Sequence, residues 1–209
     1  MKSLRSIAVV TAAVLISLIA ASAAIAQERT ASRVDISLLG GIQALNKNDT
    51  SLPDQFLSVP AVATVAYQIT SNFAAEGDFT WLIPVQQSVD LGSGAKQDRK
   101  TPDILAYQAG VRAGLPQSSW TPYLAAGAGA VTFLSNTEAD RLPRLDKSQT
   151  MFALNFGGGA EVGNGRWGVR ADFRELVAFP AKDAAGFSTS GTADPLWMER
   201  GTVGVAYHF

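Results

Sequence analysis

From about residue 32 to its last residue the chain alternates side chains at period two, and one of the two resulting faces carries almost no charge. Period two belongs to strands, because successive side chains leave opposite sides of the backbone. Val34, Ile36, Leu38, Gly40 and Ile42 share one face, while Arg33, Asp35, Ser37 and Leu39 share the other. Phe73, Ala75, Gly77, Phe79, Trp81 and Ile83 likewise oppose Ala74, Glu76, Asp78, Thr80 and Leu82. Eight such segments lie near 32–43, 58–69, 73–83, 103–115, 121–134, 150–162, 166–177 and 196–209. Short turns at Thr70-Ser71-Asn72, at 116–119 and at Gly163-Asn164-Gly165 alternate with longer polar loops near 44–57, 84–102, 135–149 and 178–195. The expected fold is all-β: an up-and-down antiparallel barrel of eight strands, with short turns at one end and long loops at the other.

Strand number does not separate a soluble barrel from a membrane-spanning one, but the placement of charge does. A soluble barrel is apolar inside and polar outside, and a transmembrane barrel inverts this. The mixed face holds Arg33, Asp35, Glu76, Asp78, Arg112, Glu161, Arg170, Asp172, Arg174 and Arg200, five basic and five acidic. The clean face holds only Glu175 and Glu199, both near long-loop ends. An Arg or Lys facing lipid at the bilayer midplane costs about 2–4 kcal/mol, and much less near an interface. The mixed face is therefore expected to line the lumen. An eight-stranded barrel is just wide enough for side chains to fill, so those charges are expected to pair, with Glu76 and Asp78 opposed by Arg170 and Arg174.

Aromatic residues assigned to the clean face gather at its two ends. Tyr67, Phe73, Tyr123, Trp167, Tyr207 and Phe209 fall near the short turns, and Trp81, Phe133, Phe152 and Trp197 near the long loops. Two girdles around an apolar band, with small residues such as Ala75, Gly77, Ala125, Gly127 and Gly129 between them, suit a membrane with two interfaces.

The N-terminus has the three parts of a secretory signal. Lys2 and Arg5 precede an apolar run from Ile7 to Ala21, and Ala24-Ile25-Ala26 places the expected cut before Gln27. The chain thus divides into a cleavable signal over 1–26 and one barrel domain over 27–209. The absence of Cys excludes a disulfide scaffold, a lipid-modified N-terminal Cys and Cys-ligated metal. Without Lys2 and Arg5, 15 basic residues face 18 acidic ones, so no nucleic-acid partner is expected.

The stretches Tyr67-Gln68-Ile69, Asn72-Phe73-Ala74-Ala75-Glu76, Thr121-Pro122-Tyr123-Leu124-Ala125-Ala126-Gly127-Ala128-Gly129, Phe156-Gly157-Gly158-Gly159-Ala160-Glu161 and Val203-Gly204-Val205-Ala206-Tyr207-His208-Phe209 resemble the small eight-stranded outer-membrane barrel family of OmpA-, OmpX- and opacity-protein-like domains. The resemblance implies the outer membrane of a Gram-negative-type cell, periplasmic turns and extracellular loops. It also implies contact with outer-membrane lipid and lipopolysaccharide, and passage through the secretion and barrel-assembly machinery. Tyr207 and Phe209 resemble the family's C-terminal assembly signal.

For function, the residues point to a structural or surface-interaction role, with a host or surface ligand at the loops. Lys96, Arg99, Lys100, Arg141, Arg144 and Lys147 are candidates for lipopolysaccharide phosphates, with Asp98, Asp140 and Asp146 among them. A narrow porin-like channel for small or hydrophobic solutes, resembling the OmpW type, is the alternative. A lipid A-modifying enzyme comes third. His208, the one histidine, sits at the periplasmic end pointing inward, away from an outer-leaflet substrate. No enzyme activity, cofactor, catalytic residue or metal site is expected.

Overall fold

In the computed structural model, residues 34–46, 55–90, 96–117, 119–181 and 194–209 are described. The expected signal with Ala24 and Ala26, and Arg33, lie outside them. The described residues form ten strands: β1 (Val34–Asn46), β2 (Gln55–Gln68), β3 (Phe73–Pro84), β4 (Gln87–Asp90), β5 (Lys96–Arg99), β6 (Ile104–Gly114), β7 (Trp120–Phe133), β8 (Gln149–Asn164), β9 (Trp167–Phe179) and β10 (Leu196–His208). Eight of them close a barrel in the order β1-β10-β9-β8-β7-β6-β3-β2, with every pair antiparallel. Closure is the strand solution for a bilayer, because it leaves no unpaired edge in hydrocarbon.

Paired residues traced around the wall run Ala44, Glu199, Glu175, Phe156, Ala126, Val111, Ala75, Tyr67 and Val34. The path returns to β1 at residue 34 after leaving at residue 44, a stagger of ten residues. With eight strands, that stagger tilts the strands by roughly 40° from the barrel axis. The β1–β2 ladder omits Gly41 and Ile42, opposite Val59 and Pro60. Pro60 has no N–H to give across that gap.

Inward and outward positions alternate as the charges require. On β3 every residue from Phe73 to Ile83 alternates between exposed and buried, with Ala74, Glu76, Asp78, Thr80 and Leu82 inside. β7 departs from the expectation. Tyr123 is 5% exposed, Ala125 6% and Phe133 0%, so all three point into the barrel, and Tyr123 and Phe133 do not belong to the aromatic girdles. The reason is register. Ala125 pairs with Arg112, and directly paired residues share a face, so the inward Arg112 fixes the inward parity of β7. Gly127 and Gly129 share that inward parity.

The long loop over 84–102 also contains what its polarity did not announce, a hairpin of β4 and β5 outside the barrel sheet. Its arms are four residues each, too short and too polar for an apolar alternation.

Interior packing falls into two layers. Toward the long loops lies an apolar cluster of Leu45, Phe56, Leu82, Ile104, Val131, Phe133, Met151, Leu176, Leu196 and Met198, with Leu145 inserted from the third long loop. Toward the short turns lie the charges. The lumen is thus not filled by ions throughout, because its loop end is an ordinary hydrophobic core.

Backbone proximity around the wall makes some glycines indispensable. A Cβ on Gly204 of β10 would collide with the Leu38 carbonyl of β1, whereas one on Gly201 would meet nothing within 4 Å. Gly204→Ala is expected to cost about 1–3 kcal/mol and to deplete the heat-resistant folded band on unboiled gels. Gly201→Ala is expected to leave that band at wild-type intensity.

Candidate functional site

The candidate site is the lumen network. Period-two alternation sends each of its side chains inward, and closure brings strands distant in sequence within reach of one another. Its centre is Arg170 on β9, which is 0% exposed. Arg170 donates from Nε to Tyr123 Oη at 2.7 Å, from Nη2 to Glu76 Oε2 at 2.9 Å and Asp172 Oδ2 at 3.2 Å, and from Nη1 to Thr64 Oγ1 at 3.2 Å. Its guanidinium also lies 4.8 Å from the Tyr123 ring centroid, within cation–π range. Tyr123 passes its own hydroxyl proton toward Asp172 Oδ2 at 2.8 Å. Arg174 donates from Nε to Asp172 Oδ1 at 3.0 Å and from Nη2 to Glu76.

Glu76 is shared by three arginines, since Arg112 Nη1 also lies 3.5 Å from its Oε2. Arg112 carries the network to β1 through Asp35 at 2.7 Å, and Gln68 Nε2 donates to the same carboxylate at 3.0 Å. His208 lies 2.8 Å from Asp35 and 2.9 Å from Glu161. A second, smaller group stands nearer the apolar layer. There Arg200 Nη2 donates to Asp78 Oδ2 at 3.0 Å, and Thr80 joins both. Asp78 is thus matched with Arg200, not with the expected Arg170 or Arg174. All eight barrel strands contribute a member of these bonded groups.

Among the expected lumen residues, Asp35, Glu76, Asp78, Arg112, Arg170, Asp172, Arg174 and Arg200 are buried and Glu161 is half-buried. Sequence reasoning missed Tyr123, Thr64 and Gln68 as members, and it gave His208 an inward position but no partner. Tyr123 was hidden by the neutrality of β7, and His208 was read only for catalysis. Of the remaining aromatics, Trp81 and Trp167 are 46% and 63% exposed, and Trp197 is half-buried. At the periplasmic end Trp167, Tyr207 and Phe209 stack edge to face in sequence, with centroids 4.8 Å apart at each step.

The loops engage their own charges. Lys100 Nζ lies 3.2 Å from Asp140, Arg141 Nε donates to Glu138 at 2.7 Å, and Arg141 Nη1 donates to the Thr101 carbonyl at 2.8 Å. A hydrogen bond and ion pair with Arg141 hold the Glu138 carboxyl below its ordinary range, and Lys100 does the same for Asp140. Arg144 and Lys147 remain exposed.

A closed barrel of eight antiparallel strands with an apolar, aromatic-ended exterior and an ion-paired lumen defines an integral outer-membrane protein of a Gram-negative-type cell. The family model for the outer membrane protein β-barrel domain matches residues 11–209, and the chain belongs to that family. Among solved structures, neisserial surface protein A is similar at 14% identity and a TM-score of 0.57, over 87% of this chain and all of its own. The N-terminal barrel domain of Pseudomonas aeruginosa OprF is similar at 12% identity and a TM-score of 0.49, over 86% of this chain and 100% of its own. The attachment invasion locus protein Ail of Yersinia pestis follows at 12% identity and 0.45, over 84% and 98%. At such identities the likeness speaks for the fold alone. No curated protein is significantly similar in sequence.

A network so deeply buried is sensitive to deletion of one partner. Arg170→Ala strands Glu76 and Asp172 with fewer cations and is expected to cost about 3–5 kcal/mol. Tyr123→Phe removes one hydroxyl bridge and is expected to cost about 1–3 kcal/mol. Urea unfolding of the refolded barrel in micelles checks both, and equal costs would refute the central place of Arg170.

Proposed function

We propose that the barrel is an occluded scaffold that presents its loops at the cell surface, with a structural or surface-interaction role and no catalytic one. The observation that carries this reading is the double closure of the lumen. The apolar layer with Leu145 fills the loop end, and bonded ions fill the turn end. Water-filled conduction needs a path through both layers. In wider barrels that path comes from 16–18 strands. The same burial speaks against an enzyme, because His208 has both ring nitrogens against carboxylates and no outer-leaflet substrate reaches it.

The lumen ions serve, in this reading, as the cross-links that hold eight strands at one diameter. Loop partners are expected among anionic surface groups, including lipopolysaccharide phosphates. Arg144 and Lys147 are the exposed cations of the third loop, whereas Lys100 and Arg141 are held by its acids. Tyr207 and Phe209 serve as the signal read by the barrel-assembly machinery.

Refolded protein in planar bilayers is expected to remain silent. Steady unitary openings whose size changes in Arg170→Ala would overturn the occluded scaffold in favour of a narrow channel. Residues 1–26 are assigned as a cleaved export signal. Mass spectrometry of protein isolated from the outer membrane is expected to find a mature chain beginning at Gln27, and a retained Met1 would refute the assignment.

A further inference from the structure

The single histidine of the chain ends β10 at the periplasmic mouth, between two carboxylates. Its Nδ1 lies 2.8 Å from Asp35 Oδ1 on β1, and its Nε2 lies 2.9 Å from Glu161 Oε1 on β8. An ionised carboxylate only accepts hydrogen bonds, and a neutral imidazole has one N–H to give. Two carboxylate contacts from one ring therefore call for a proton on each nitrogen.

The surroundings are arranged to keep it so. Arg112 of β6 and Gln68 of β2 donate to the other oxygen of Asp35, which favours its ionised form. Glu161 reaches β10 beneath β9, where a Cβ on Gly168 would stand 3.3 Å from Glu161 Cγ and Oε1. The main-chain N–H of His208 donates to the Arg166 carbonyl at 2.9 Å, which fixes the residue in the mouth. Among the described residues, the charged groups in contact with the ring are Asp35 and Glu161, with Arg112 behind Asp35, while Gln68 and Gly168 add no charge.

We infer that His208 is a standing imidazolium that latches the β1–β10 seam, and that removal of its proton at alkaline pH loosens the closed barrel. This goes beyond the scaffold reading and holds whether or not the barrel conducts. With the ring charged, the described lumen balances: Asp35, Glu76, Asp78, Glu161 and Asp172 face Arg112, Arg170, Arg174, Arg200 and His208, five against five. A neutral ring turns a bare nitrogen lone pair toward one of its two carboxylates. Only the doubly protonated ring can donate to both carboxylates, so the contribution is complete while the ring is charged. It is lost as pH rises past the ordinary imidazole range.

The test uses untagged protein refolded in micelles with 15N-labelled histidine, whose one ring needs no assignment. At about pH 8, where an imidazole of ordinary pKa near 6.5 is neutral, both ring nitrogens are expected to carry protons. A ring with one proton there overturns the inference. The urea midpoint of the wild type is expected to fall between about pH 8 and pH 10, while that of His208→Gln, which has no charge to lose, stays level. Parallel falls in the two proteins would overturn the latch. Should the variant fail to fold, the ring signals of the wild type decide alone.

Discussion

In hydrocarbon a closed strand barrel has one place for a charge, and everything else in this molecule follows from that. Apart from the short gap in the β1–β2 ladder, backbone groups pair around the wall, so lipid meets mainly side chains, and a lipid-facing ion is expensive in the middle of the bilayer. A strand that carries a charge in the middle of the bilayer must turn it inward, and the two outward charges, Glu175 and Glu199, lie toward the long loops. An eight-stranded lumen is narrow enough that inward charges meet, so they are costly unless each finds a counter-charge and a full set of hydrogen bonds. The sharing of Glu76 among three arginines, and of Asp172 between Arg170, Arg174 and Tyr123, is the local solution. Because those side chains come from different strands, the network also ties the wall together across its diameter.

The same constraint sets what could be read without coordinates. Where a strand carries charge, parity is legible: Glu76 and Asp78 fix β3, and Arg170, Asp172 and Arg174 fix β9. β7 carries none between Trp120 and Phe133, so its two faces look alike and its aromatic residues are natural candidates for a girdle. Only pairing with β6 reveals that Tyr123 and Phe133 face inward. The signal available in sequence was indirect, namely that Thr121 and Tyr123 are the polar members of their parity. Partners inside the lumen were illegible for a different reason. Which acid meets which base depends on the ten-residue stagger, a property of closure that no single strand carries.

His208 shows the limit from the other side. Its inward parity follows from the alternation of β10, yet its chemistry depends on Asp35, 173 residues away in sequence. A lone histidine invites a catalytic reading, because imidazole is the common proton acceptor near neutrality. Between two carboxylates it is instead a donor on both sides. It then belongs with the arginines as a counter-ion and not with nucleophile-activating bases.

The division of the lumen into an ionic and an apolar layer connects the wall to the surface. Ion pairs set the spacing of strands near the turns, but they gain little from being longer or shorter, since unpaired members would be stranded. At the loop end, strand residues such as Phe56, Phe133 and Met198 form a hydrophobic core that accepts Leu145 from outside the sheet. That one insertion roots the third loop in the barrel. Lys100 and Arg141 then join its backbone to the segment following β5, through the bonds from the Lys100 N–H to the Asp140 carbonyl and from the Leu142 N–H to the Lys100 carbonyl. A loop held by a buried leucine and by main-chain bonds presents a defined polar crest rather than a free coil. The apolar layer that packs the loop end of the lumen therefore also gives the third loop a fixed base.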